Sequence, residues 1–223
     1  MPAILLLFLF LFFPLNSAKA ITPINPYTIK FQSFTPPPTK KPVFPTSLPS
    51  TNPNITEPPG EDNPNVFFSQ VDPRWRNYPH PDPENNLGYC GCGETVAAMI
   101  LSRFIDNSGK YTPPKMWDYY EQSYPGRCGT SLESHVATMQ AYGLKASIHA
   151  YSNNQVLSNY LASDYTIFLH YKRPTTSYGH YVLIDSVNGN NIKVYNPAHL
   201  PGSLQPVPLE TGAMLIDYIT IKK

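Results

Sequence analysis

The chain carries little net charge, only three cysteines and no clustered lysine or arginine. Lys plus Arg number 16 against 15 Asp plus Glu, a formal charge of +1 at pH 7. That balance argues against nucleic acid and anionic surfaces as partners, because both demand a concentrated basic footprint. No internal repeat is present. Long apolar runs are also missing, apart from "AILLLFLFLFFPL" at the amino end. That run is short for a bilayer crossing, which needs about 20 residues.

"NSAKA" follows the run, and Ala18-Lys19-Ala20 fits the small-residue cleavage pattern of a secretory signal. Residues 1–20 are therefore expected to be a signal peptide, leaving no membrane span after cleavage. The departure is "MPAI", which has no Lys or Arg, and an uncleaved anchor is the competing reading. Residues 21–64 hold nearly half of the 26 prolines, mixed with Thr, Ser and Asn. Proline fixes φ and removes a backbone donor, so this stretch reads as a disordered, partly polyproline-like stalk. Asn54-Ile55-Thr56 makes Asn54 a glycosylation candidate. Residues 65–223 remain, enough for one domain with a real core.

Within that domain the apolar positions Val96, Ala97, Met99, Ile100, Leu101 and Phe104 predict a mostly buried helix after Cys92. A second helix is signalled by Thr130 and Glu133, spaced as a capping box, and closed by Gly143. "NNQVLSNYLAS" is a third, shorter candidate. The period then changes to strands at 165–171, 180–187, 191–196 and 214–221. Helices followed by an antiparallel sheet make an α+β fold. The turn "NGNN" joins two of these strands. A three-residue loop, Asn188-Gly189-Asn190 with Asn190 left-handed, gives an even register sum and puts His180 and Asn196 on one face. A two-residue turn gives an odd sum and separates them.

"NLGYCGCGETVAAMI" places two of the three cysteines around one glycine at a helix start. Three explanations compete. Cys90, Cys92, Cys128 and His135 form a zinc-type donor set, but Cys-x-Cys is tighter than the usual spacing and an exported protein oxidises its thiols. A disulfide leaves one cysteine over: if Cys90 pairs with Cys128, Cys92 is free. A free thiol at a helix amino end has unpaired N–H groups and the dipole to lower its pKa, and Gly91 and Gly93 would let a substrate backbone approach. A nucleophile then needs a base and a group to orient it, and the hairpin offers His180 with Asn196. His199 ranks second as base. His170 reads as structural, Asp185 lies on the wrong strand face, and Trp75 reads as core.

Four blocks in order, "FFSQVDPRW" (67–75), "GCGETVAAMIL" (91–101), "GHYVLIDSV" (179–187) and "KVYNPA" (193–198), resemble the double-glycine-type, bacteriocin-processing branch of the papain-like cysteine peptidases. More narrowly they resemble its stand-alone secreted relatives, over roughly residues 66–220. The resemblance implies a papain-like fold, a thiol peptidase with a peptide or protein substrate, small residues such as glycine before the scissile bond, no cofactor and no metal. Block by block it implies Cys92 as nucleophile, His180 as general base, Asn196 as the residue orienting the imidazole, and Gln70 as oxyanion donor. An oxyanion donor is worth about 3–4 kcal/mol. Two positions depart from the pattern. Glu94 stands where the family has Pro or Ala, and its carboxylate would oppose a thiolate if it faced the cleft. Asn196 replaces the usual Asp but still accepts the imidazole N–H. The expected location is extracellular or periplasmic. Two further functions fit the same residues: a silent peptide- or cell-wall-binding module, and a thiol amidase or transamidase.

Overall fold

The computed structural model describes residues 66–125, 128–176 and 178–223. The expected signal peptide (1–20), stalk (21–64) and Asn54 lie outside the described residues. In chain order the elements are α1 (Leu87–Cys90), α2 (Cys92–Phe104), α3 (Pro113–Ser123), α4 (Leu132–Ala141), β1 (Lys145–Ala150), α5 (Asn154–Ala162), β2 (Thr166–Lys172), β3 (Gly179–Asn188), β4 (Asn191–Tyr195), β5 (Val207–Pro208) and β6 (Met214–Lys222). The architecture is α+β. All strand pairs are antiparallel, and the six strands form one sheet in the order β1-β6-β2-β3-β4-β5. No helix among the described residues is long and apolar enough to cross a membrane.

α2 is the central helix. Every residue from Cys92 to Ser102 is buried, because α2 packs on α3 and α4 and on β3 of the sheet. Val96, Met99, Ile100 and Leu101 are fully buried, each side chain stabilising the fold by about 1.5–3 kcal/mol. Strand alternation divides the sheet into two faces. Phe168, Tyr181, Leu183, Tyr195, Ile219 and Ile221 join the core of α2 and α4. Leu169, Tyr171, Val182, Ile184, Val194 and Tyr218 pack on the other side with Leu157 of α5. Trp75 is core, with its Nε1–H donating to the Ser69 carbonyl at 2.8 Å.

The helix ends follow local chemistry, with one correction. Asn153 caps α5 by accepting from the Val156 N–H at 3.1 Å. Gly143, with φ +81, follows the last turn of α4 as expected of a left-handed C′ residue. The N-cap of α4, however, is Ser131, which accepts from the Ser134 N–H at 3.3 Å. Thr130 does not cap, because its hydroxyl is engaged by Glu94. α3 had no counterpart in the sequence reading. It opens on Pro113-Pro114, tolerated there because the first helical N–H groups have no partner to lose.

The hairpin corrects the predicted loop but keeps its consequence. Asn188 pairs with Asn191, so the connection is the two-residue turn Gly189-Asn190. Gly189 takes φ +57 while Asn190 is not left-handed, the pattern of a II′ turn. Near the turn the register sum is therefore odd. It becomes even between Ile184 and Ser186, where Asp185 is inserted as a bulge, so that Leu183 pairs with Tyr195. The Asp185 side chain interacts with Tyr195 and Arg103. His180 and Asn196 thus share a face through a bulge rather than through a longer loop.

Candidate functional site

α2 begins at Cys92 because Gly91 interrupts the helical path after α1. A Cβ on Gly91 would lie 2.6 Å from the Leu87 carbonyl oxygen, so the sharp junction requires glycine. Gly93 is also forced, but from inside: its Cβ would meet His135 Nε2 at 2.4 Å. Both glycines are therefore required by the packing of the helix start.

Cys90 and Cys128 form a disulfide, with Cα atoms 5.1 Å apart, and Cys92 is the free cysteine. That pairing removes two of the zinc-type donors. Cys92 is 9% exposed, at the first residue of α2. Its sulfur faces backbone N–H groups of Tyr181, Gly93 and Cys92 itself, all of which favour thiolate. Burial outweighs them, and the nearby Glu94 adds to it, so the thiol is pushed up to about 12. The expectation that the helix terminus would lower this thiol is therefore overturned by desolvation. Tyr181 directly follows His180, so the nucleophile candidate and the base candidate sit on neighbouring elements.

His180 is buried near the start of β3, and its Nε2 lies 2.9 Å from Asn196 Oδ1. The same Asn196 oxygen accepts the Ala198 N–H at 3.0 Å, which identifies it as the oxygen of the amide. Only the Nε2–H tautomer can donate to it, which leaves the lone pair on Nδ1. Burial lowers His180 to about 4, partly offset by the Asn196 bond. With the thiol raised and the imidazole lowered, both groups are neutral at pH 7.

Gln70 is joined to the same region through its backbone. Its N–H donates to the Pro197 carbonyl at 2.8 Å, and its Nε2 donates to the Gly88 carbonyl at 2.9 Å. One Nε2 hydrogen remains for another acceptor. Ser69 donates its hydroxyl to the His199 carbonyl, tying the entering chain to the loop after Asn196. His199 is half-buried and adds a small repulsion to a charged His180. His170 bonds through Nδ1 to Asp217 Oδ1 at 2.8 Å, away from Asn196.

Several residues around the site were not singled out from the sequence. Arg173 and Glu210 form a bidentate ion pair at 2.6 and 3.1 Å, and both act electrostatically on His180. Tyr171 packs edge-on to His180 with ring centres 5.6 Å apart, and it interacts with Cys92 as well. The Tyr181 hydroxyl donates to the Thr130 carbonyl at 3.0 Å. No sequence signal joins these residues; they meet only through strand register. Glu94 is buried yet close enough to oppose a charge on the Cys92 sulfur. It is 3% exposed and lies against Thr130. Among the described residues no group of three His, Cys, Asp or Glu side chains is arranged to hold a metal ion. No protein-family model matches the chain, and no curated protein matches it.

Proposed function

We propose that this domain is an exported thiol hydrolase that cleaves peptide bonds through an acyl-enzyme on Cys92, with a papain-like arrangement of nucleophile, base and orienting amide. The observation that carries the reading is the 2.9 Å contact from His180 Nε2 to Asn196 Oδ1. It leaves the basic lone pair on Nδ1, on the strand whose next amide faces the only free thiol among the described residues. On substrate binding, Nδ1 takes the thiol proton as sulfur attacks the carbonyl carbon, and Asn196 holds the imidazolium by its remaining N–H. Because burial penalises each charge alone, the two charges form together, as a pair. The developing oxyanion is held by the free Gln70 amide hydrogen and the Cys92 N–H. His180 then returns the proton to the leaving amine as the C–N bond breaks. Water next attacks the acyl carbon while Nδ1 takes its proton, the C–S bond breaks to release the acid, and the proton returns to sulfur. The Cys90–Cys128 disulfide suits the oxidising compartment that export implies.

The test is turnover of a peptide library by the purified chain, with Cys92→Ala as control. Turnover lost in the variant, with peptide binding kept, supports the hydrolase. Equal peptide loss in both proteins, or none in either, argues against it. The burial of Cys92 favours one second reading, a peptide-binding module that keeps the groove without the chemistry. That reading requires iodoacetamide to leave Cys92 unmodified in the native protein.

A further inference from the structure

Glu94 is a fully buried carboxylate two residues from the nucleophile, and the mechanism above does not use it. Its surroundings form a closed circuit. Glu94 Oε1 is hydrogen-bonded by the Thr130 hydroxyl, the Thr130 carbonyl accepts the Tyr181 hydroxyl, and the Tyr181 N–H faces the Cys92 sulfur. The circuit returns to Glu94 through a half-turn of α2. We propose that Glu94 is a positioning residue for the nucleophile: its carboxyl, anchored on Thr130, fixes through Tyr181 the strand amide that faces the Cys92 sulfur. This deepens the thiol-hydrolase reading and rests on it.

The second oxygen of the carboxyl, Oε2, is buried and has no hydrogen-bond partner among the described residues. A carboxylate placed so is costly when charged, and burial raises Glu94 to about 7. The groups that face it are Thr130 before α4, Tyr120 and Glu121 of α3, His80 upstream of α1, Tyr181 of β3 and Cys92 on its own helix. Neither Glu121 nor the Cys92 thiolate would favour its ionisation, and His80 opposes them weakly. In its neutral form Glu94 keeps Thr130 and Tyr181 in place without repelling a thiolate. In its charged form it keeps the geometry but opposes the sulfur charge. The position is thus occupied by a group that anchors at every pH and brakes only above neutrality.

Iodoacetamide alkylation of Cys92, followed by intact mass on the full chain with its disulfide in place, reads both effects without a substrate. The variants are Glu94→Gln, Glu94→Ala and Thr130→Val, over pH 5.5–9. Gln keeps an acceptor for Thr130 and loses the charge, so the ratio of its rate to wild type should climb about tenfold between pH 6 and 8.5. Thr130→Val keeps the carboxyl but cuts the circuit, and should slow labelling about fivefold at pH 6, the worth of one neutral hydrogen bond. Glu94→Ala should show both changes where it folds. If the Gln ratio stays flat and Thr130→Val labels like wild type, while Cys92 remains fast in both, Glu94 merely packs and the inference is overturned. An inert Cys92 in the wild-type protein overturns the hydrolase reading itself, and the inference with it.

Discussion

The Cys90–Cys128 bridge can be removed without touching the free thiol, by the double substitution Cys90→Ala, Cys128→Ala. Its sequence separation is 38 residues, and the loop it closes contains α2 and α3. Releasing a loop of that length returns an unfolded-chain entropy of about 13 cal/mol/K, or about 4 kcal/mol at 25 °C. The native state loses little else, since α2 keeps its buried contacts with α3 and β3. For a domain of this size each kcal/mol moves the midpoint by about 2–4 °C, so Tm should fall by roughly 8–16 °C. Calorimetry of the full chain gives the midpoint, and urea titration gives the free energy. The urea slope should rise, because the uncrosslinked denatured chain exposes more surface. A loss below about 1 kcal/mol with an unchanged slope would refute the reasoning, because the entropy model for this loop gives about 4.

Three further outcomes follow from the same geometry. Gly93→Ala should destabilise the fold by about 1–3 kcal/mol in urea, since the new methyl meets His135 Nε2 at 2.4 Å inside a packed core; an unchanged midpoint would show that His135 yields freely. Deleting Asp185 should straighten the strand yet leave Ile184 opposite Val194 and Leu183 opposite Tyr195, so the slowly exchanging His180 Nε2–H expected of the Asn196 bond should persist in the proton NMR spectrum; its loss would show that the ladder beyond the bulge does not hold the two residues on one face. Glu94 is raised from 4.5 to about 7, so its contribution is fully present below pH 4.5 and lost as pH rises through 7; Glu94→Gln should abolish that decline of about 3 kcal/mol, measured by urea at pH 5 and pH 8.5.

Much of the arrangement of the candidate site was legible in the sequence because its residues carry local marks. Cys92 stands between glycines at a helix start, and His180 and Asn196 stand on runs of strand-forming residues. Parity alone ties those two together once the register is even. The turn was misread because an Asn-rich connection fits more than one loop length. A bulge has no sequence mark of its own, and strand alternation placed Asp185 only on the face opposite His180. Its carboxylate makes sense after the fold is formed, when Arg103 of α2 and Tyr195 of β4 lie beside it. β1 was missed for a related reason. "KASIHA" is an edge strand with mixed exposure, so it lacks the clean alternation that marked β2 and β3.

The predicted lowering of the Cys92 pKa failed because proximity to a helix end is a local property and burial is not. Three backbone N–H groups do face the sulfur, as the helix start suggested, yet the packing of α2 removes the water that would otherwise solvate a thiolate. The same packing neutralises the imidazoles: His135 is driven down to about 3 by burial, as His180 is to about 4. For His135 the sign is opposite to that of Glu94. Its neutral form stabilises the fold fully above pH 6.5, and that contribution is lost as pH falls toward 3. Glu94 and His135 therefore limit stability from opposite sides, the carboxyl above neutrality and the imidazole in acid. Both flank Gly93, one residue past the sulfur. A dry polar shell directly behind Cys92 keeps the thiol uncharged. In such a site the proton must leave sulfur during attack rather than before it, which makes the Nδ1 lone pair of His180, and the Asn196 bond that frees it, the decisive elements of the proposed chemistry.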